Sequence, residues 1–401
     1  MKALRKFLDN AKPKFQEGGK FAKFRSTFGA FETFLFTPNE TNKGGVHVRD
    51  AVDLKRTMIV VVMALMPAFL FGIWNTGFQH FRALGQEATA TFGDIVCYGL
   101  ATVLPIVVVS YVVGLAIEFA SAQMRGHEVN EGFLVSGLII PLVMPADVPL
   151  WAVAVATAFA VIFGKEVFGG TGMNIWNPAL LARAFLFFAY PTKMSGESVW
   201  YGAEQTVDGF SGATALASAG ATGATGVSVE DAIFGFIPGS IGETSVIAIA
   251  LGGLLLLITG IASWKTMFSV FAGGIVMGLT FNALAESGSF LDENGVVLKG
   301  YEAARNLALL PWYEHLVIGG FCFGAVFMAT DPVTSSRTET GKFIYGFLIG
   351  AMAIIIRVLN PGYPEGMMLA ILLMNTFAPL IDYCIVQRNI SKRAKRVKIK
   401  A

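Results

Sequence analysis

The sequence predicts an all-α polytopic membrane protein with about ten transmembrane helices in two inverted five-helix repeats, some of them short or interrupted. Three observations carry this expectation. Of 401 residues, 54% are hydrophobic and only 14% are charged, against about 25% charged in soluble domains. Apolar runs of about 18 residues or more recur along the chain, each long enough to cross roughly 30 Å of hydrocarbon. Basic residues, finally, collect in the segments on one side of those runs.

Residues 1–56 form a basic N-terminal segment with 12 Lys/Arg and lack the apolar h-region of a cleavable signal peptide. Phe21, Phe24, Phe28, Phe31, Phe34 and Phe36 run through it, as expected of an amphipathic interfacial helix. Ten apolar segments follow, at about 57–75, 94–120, 132–146, 149–168, 178–191, 244–262, 267–286, 315–330, 343–359 and 366–386. Segment 132–146 contains Pro141 and Pro145, and segment 178–191 opens on Asn177-Pro178. Both read as half-helices or tilted helices whose backbone is satisfied by neighbouring protein. The tail 387–401 carries seven Lys/Arg from Arg388 onward and reads as a solvated topology anchor, not a nucleic-acid site.

With both termini cytoplasmic, 24 Lys/Arg fall on the inner side and four in the outer loops, Arg82, Lys193, Lys299 and Arg305. An even number of spans returns the chain to the side on which it began, so count and charge agree. The organisation is then membrane repeat 1 (57–191), a periplasmic loop (192–243) and membrane repeat 2 (244–386). Five segments per half is an odd number, so the second half is inverted relative to the first. Asn177-Pro178 before the fifth segment is echoed by Asn360-Pro361 before the tenth, and Met144–Asp147 by Met328–Asp331.

Several functions are excluded. Neither a GxGxxG after a strand nor a GxxxxGK[ST] occurs, so the chain binds NADH or ATP by neither device. Cys97, Cys322 and Cys384, with four scattered histidines, are too few for a zinc site, an iron–sulfur cluster or a haem pair.

The informative stretch is Asp208-Gly209-Phe210-Ser211-Gly212-Ala213-Thr214 in the first outer loop. By composition it is a Gly-Ser turn followed by an accessible hydroxyl. Its order resembles the flavinylation signature at which a flavin transferase joins FMN to threonine through a phosphoester bond. Around it lie Gly164–Gly172, Asn177–Leu180, Arg183-Ala184-Phe185, Ile237–Glu243, Met328–Val333 and Asn360–Met367. In this order the set resembles the B-type subunits of the bacterial Na⁺-translocating NADH:quinone oxidoreductase, over essentially the whole chain.

That resemblance implies a redox role within a six-subunit complex of the bacterial inner membrane, the NADH site and iron–sulfur transfer lying on partner subunits. Electrons would pass from covalent FMN through riboflavin to ubiquinone, coupled to Na⁺ export. It implies FMN on Thr214, with Asp208, Ser211, Gly212 and Ala213 as the recognition motif. Asn174 and Asn177 match residues near a non-covalent riboflavin, where an amide supplies both donor and acceptor; helix capping by Asn177 is the competing reading. Glu118, Asp331 and Asp382 are the carboxylates for a Na⁺ path, since charge in hydrocarbon is costly. Asp331 also reads as a helix-ending turn, Glu118 and Asp382 as carboxylates that snorkel to the inner interface, and Glu166 beside Lys165 as a local ion pair. Arg183 and Arg357, inside spans, call for a carboxylate or a flavin phosphate. Gly114 would let a quinone ring approach the backbone, while Leu115 departs from the family's second glycine. Two other readings share parts of this. A D-type subunit of the related ferredoxin:NAD⁺ oxidoreductase carries the Ser-Gly-Ala-Thr element but lacks the long N-terminal segment. A non-redox inverted-repeat transporter fits the helices and leaves the Asp208–Thr214 motif unexplained.

Overall fold

The computed structural model describes residues 2–15, 54–125, 132–194, 198–201, 212–292, 295–360, 362 and 365–400, with single positions at 21, 28, 29, 32, 44–46 and 48. Among these residues the fold is helical, and the only β pairing is one isolated bridge between Leu291 and Val297.

After the basic helix α1 (Lys2–Ala11), the first half holds α2 (Leu54–Ala83), α3 (Phe92–Arg125), α4 (Phe133–Leu142), α5 (Leu150–Val161) and α6 (Pro178–Ala189). A π-helical turn, Ile162–Glu166, extends α5. Two short helices follow, α7 (Ala215–Thr222) and α8 (Val229–Phe234). The second half holds α9 (Val246–Ile258), α10 (Trp264–Glu286), α11 (Glu302–Leu309), α12 (Trp312–Val317), α13 (Phe321–Phe323) running into a π turn at Gly324–Met328, α14 (Glu339–Leu359) and α15 (Gly366–Lys400).

Five of these helices, α2, α3, α10, α14 and α15, are long and apolar enough to cross a membrane; α4, α6 and α9 are shorter apolar helices. Starts are set by hydroxyl and amide caps: Asn177, Thr214, Ser228, Ser245, Ser263 and Thr338 each accept a first-turn N–H of the helix they open. The expected span 315–330 is broken in two. The chain leaves the helix at Ile318, turns at Gly319 with φ +67°, and resumes at Phe321, because a left-handed residue cannot continue a right-handed helix.

The two halves repeat one packing scheme. Helix α3 packs on α5 as α10 packs on α14, α5 on α6 as α14 on α15, and α2 on α4 as α9 on α13. Across the midline, counterparts meet: α2 lies against α9 and α6 against α15. Five elements of each half correspond in this scheme, α2, α3, α4, α5 and α6 with α9, α10, α13, α14 and α15. Close crossings are set by glycine pairs. A Cβ on Gly77 or Gly99 would strike the carbonyl of Ile95 or Ile73, and one on Gly273 or Gly350 that of Phe347 or Val270. Small residues allow backbones this close in a bundle where lipid supplies no hydrophobic drive.

The loop after α8 turns back into the bundle. Gly242 N–H donates to the Leu142 carbonyl (2.7 Å) and Ile241 N–H to that of Met144 (3.1 Å), which satisfies the open C-terminal end of the half-helix α4.

Candidate functional site

Two hollows lie at opposite ends of the bundle. One is lined by Thr57 and Met58 at the start of α2; the other by Ile237–Ser240, which α2 reaches through Asn75 Nδ2 donating to the Ile237 carbonyl (3.1 Å). The 18 residues from Thr57 to Asn75 place them about 27 Å apart along the helix.

The hollow at the Thr57 end is a cavity with about 820 Å³ of empty space, partly open, at the junction of the two halves. Val135, Ile139 and Pro178 supply apolar wall from the first half, and Leu256, Ile261 and Phe327 from the second. Ser136, Lys165, Thr171, Asn174, Asn177, Thr330 and Asp331 supply a polar edge. Three residues singled out by sequence thus converge here: Asn174, Asn177 and Asp331.

Asn177 is indeed a helix cap, its Oδ1 accepting the Ala179 N–H at 2.9 Å. Its Nδ2 donates to Asp331 Oδ2 (3.3 Å), so this one amide joins the two halves. Asn174 Nδ2 donates to the Trp176 carbonyl (3.1 Å). Asp331 also accepts from Val333 N–H (3.0 Å) and the Thr334 hydroxyl (2.9 Å), forming the expected helix-ending turn. It lies between spans, and burial pushes its carboxyl above the usual range against those hydrogen bonds.

Glu118, from α3, is buried at 4% exposure and forms an ion pair with Lys165, itself buried. Its second oxygen, Oε2, is buried without a hydrogen-bond partner among the described residues. The expected Lys165–Glu166 pair is not formed. Glu166 instead accepts from the Ser121 hydroxyl (2.6 Å) and faces Arg125 (3.4 Å), because adjacent helical residues point in different directions. Asp382 does not reach the cavity. From α15 it accepts from Ser336 Oγ (2.6 Å), Arg337 N–H (2.8 Å), Thr338 N–H (3.0 Å) and Thr338 Oγ1 (2.6 Å), latching the turn that starts α14. The aromatic ring that packs on Gly114 is the chain's own Phe133. Leu115 is half-buried against the core. Phe21 and Phe28 stack on Phe15 at 5.6 and 4.6 Å; Phe24, Phe31, Phe34 and Phe36 lie outside the described residues.

The second hollow is a narrow crevice of about 340 Å³, lined by Thr214, Pro238, Gly239, Ser240, Glu243, Gly319 and Glu365. Thr214, half-buried, caps α7: its Oγ1 accepts the Ala217 N–H at 3.3 Å. A phosphoryl group on that oxygen would meet the amides and positive dipole end of α7, the surroundings an anion favours. Gly212 is buried and Ala213 half-buried, while Asp208 and Ser211 lie outside the described residues. The crevice floor is ionic. Arg183, 2% exposed, donates to the Val143 carbonyl, Ser240 Oγ (3.0 Å), Glu243 (3.0 Å) and Glu365. Arg357 donates to the His315 and Ile318 carbonyls at the broken end of α12. Each buried arginine therefore caps one interrupted helix.

Sequence reasoning missed Ser136, the Glu118–Lys165 pair and the roles of Glu243 and Glu365. The two glutamates carried one legible signal, since two arginines inside spans require nearby anions. Among the described residues, no group of three His, Cys, Asp or Glu side chains is arranged to hold a metal ion.

The profile of the NQR2, RnfD, RnfE family matches residues 41–391. The B-type subunit of a Na(+)-translocating NADH-quinone reductase from Ectopseudomonas mendocina is 45% identical over 98% of this chain and 99% of its own length. A protein of the same description from Chromohalobacter salexigens is 46% identical, covering 98% and 96%. One from Pseudomonas aeruginosa is 44% identical, covering 98% and 99%.

Proposed function

The chain belongs to the NQR2, RnfD, RnfE family, and from that premise we propose that it is the flavin-carrying membrane subunit of a Na⁺-pumping NADH:quinone oxidoreductase. The observation that carries the reading is the Thr214 hydroxyl, which follows Ser211-Gly212-Ala213 and stands at the N-terminus of α7 in a crevice. Thr214 holds FMN through its phosphate, attached by a flavin transferase that reads Asp208, Ser211, Gly212 and Ala213. The cavity at the other end holds riboflavin, its ring between the apolar walls and its polar edge toward Asn174 and Asn177. Once bound, these groups supply the electron transfer that the polypeptide lacks, from FMN through riboflavin to ubiquinone.

The chain's own residues set the conditions for that chemistry. Arg183 with Glu243 and Glu365 fixes the crevice floor, so the attachment point does not drift. The apolar walls lower the local dielectric, which strengthens the charges on the cavity's polar edge. Asn177 ties the two halves at the cavity mouth. Glu118, Asp331 and Asp382 are the carboxylates of the Na⁺ path. Asp331 ranks first because it faces the cavity, and Asp382 last because four hydrogen bonds occupy its oxygens. Quinone reduction near Gly114 and Leu115 requires Phe133 to yield, since its ring fills that place. The basic termini lie inside and the Thr214 crevice in the periplasm, following the charge bias; electrons therefore travel inward across the bundle. NADH is oxidised on partner subunits of a six-subunit complex.

Ultraviolet fluorescence of the SDS-denatured subunit, from cells containing the transferase, tests this directly. A bright wild-type band and a dark Thr214→Ala band are the expected outcome. A dark wild-type band beside a fluorescent control flavoprotein removes the central support and returns the non-redox transporter to first place.

A further inference from the structure

We propose that Lys165 is a flavin-contacting residue, offsetting the negative charge that reduction adds to the ring in the inner cavity, with Glu118 holding it ready. This inference rests on the reading that the cavity at the junction of the two halves holds riboflavin.

The placement of Lys165 comes first. Among the described residues lining that cavity it is the only cation, and at 4% exposure its charge is little screened by water. It sits on the π turn Ile162–Glu166; such turns recur where a helix must re-aim a side chain for function. The next residue, Glu166, is sent away to Ser121 and Arg125, so it does not neutralise the lysine.

The second observation is that the Glu118–Lys165 pair is incomplete. A buried ion pair that serves as structural support has its remaining lone pairs and protons filled by further hydrogen bonds. Here Lys165 spends one of its three donors on Glu118, and Glu118 Oε2 is buried with no hydrogen-bond partner among the described residues. Lys165, which lines the cavity, therefore keeps donors that no described residue takes. The carboxyl on the cavity wall, Asp331, is already met by Asn177, Thr334 and the Val333 amide.

Reduction adds an electron, supplied by the flavin on Thr214 and passed on to quinone; no bond forms or breaks at Lys165, and its protons stay on the nitrogen. Glu118 opposes the effect, because its own negative charge offsets part of the lysine. The two members of the pair should consequently move the cavity flavin in opposite directions, which a merely structural pair would not do.

The test uses the purified complex, with acid-extractable flavin counted and its reduction followed by absorbance at controlled potential. At the potential where the wild-type cavity flavin is half reduced, Lys165→Gln should lower the reduced-to-oxidised ratio roughly tenfold and Glu118→Gln should raise it. Lys165→Arg should fall in between. Wild-type ratios in both variants, or shifts of the same sign, overturn the proposal. If Lys165→Gln does not assemble, Glu118→Gln decides alone: a raised ratio supports the proposal and an unchanged one sinks it. Ser136→Phe, which fills the cavity, separates the underlying reading. Loss of extractable flavin supports occupancy, whereas undiminished flavin in that variant places the ring elsewhere and removes both reading and inference.

Discussion

The two ends of the bundle solve opposite problems. At the Thr214 end the side chains are interlocked, one arginine serving a carbonyl, a serine and two glutamates, and only a crevice of about 340 Å³ is left. At the Thr57 end there is about 820 Å³ of space, apolar walls from both halves, and an ion pair with unused valences. A group held by a covalent bond needs a rigid attachment point and little enclosure. A group held by contacts alone needs walls, a polar edge and room. The proposed covalent flavin suits the tight end and the proposed non-covalent one the roomy end.

The sharpest way to break this comparison is a reciprocal pair of variants. Thr214→Ala should abolish gel-fluorescent flavin and leave extractable flavin at wild-type content; Ser136→Phe should do the reverse. Loss of both in either variant would mean that the ends are not independent. Next in size is Arg183→Met, which strands Glu243 and Glu365 in the interior. Breaking a buried pair in this way costs about 3–5 kcal/mol, read as a lower thermal midpoint of the detergent-purified complex or as failure to assemble. Asp331→Asn should raise the Na⁺ concentration for half-maximal turnover roughly tenfold. Asp382→Asn should change it far less, while lowering stability by about 1–2 kcal/mol through the weakened turn before α14. An equal shift in both would put Asp382 on the ion path despite its latch. The smallest effect is that of Gly99→Ala, a steric clash with the Ile73 carbonyl felt only at the end that α2 and α3 share; about 1–3 kcal/mol is the usual cost of overpacking.

Much of this was legible beforehand, for identifiable reasons. Apolar runs and prolines marked 132–146 and 178–191 as short, whereas 149–168 and 244–262 gave no such sign and fold as helices of 12 and 13 residues. Asn177 could be read as a cap, and Asp331 as a turn, because both depend on neighbours within three residues. The family resemblance singled out Asn174, Asn177 and Asp331, and the fold brings all three to one cavity. The break inside 315–330 was written as Gly319-Gly320 but masked by the apolar residues on either side. Other assignments needed the third dimension. Glu118 lies 47 residues from Lys165, and Asp382 lies 45 from the Arg337 amide that it accepts. No local pattern encodes such partners.

Read alone, the sequence established that this is a helical membrane protein, which family it resembles, and which threonine follows Ser211-Gly212-Ala213. Hydrophobicity, charge bias and motif order are all readable one residue after another. Only the tertiary structure decided which carboxylate faces a cavity, which arginine caps which broken helix, and which ring fills the space beside Gly114. Those outcomes depend on how ten apolar segments pack across a midline, where contact is set by the fit of distant side chains and not by their order in the chain.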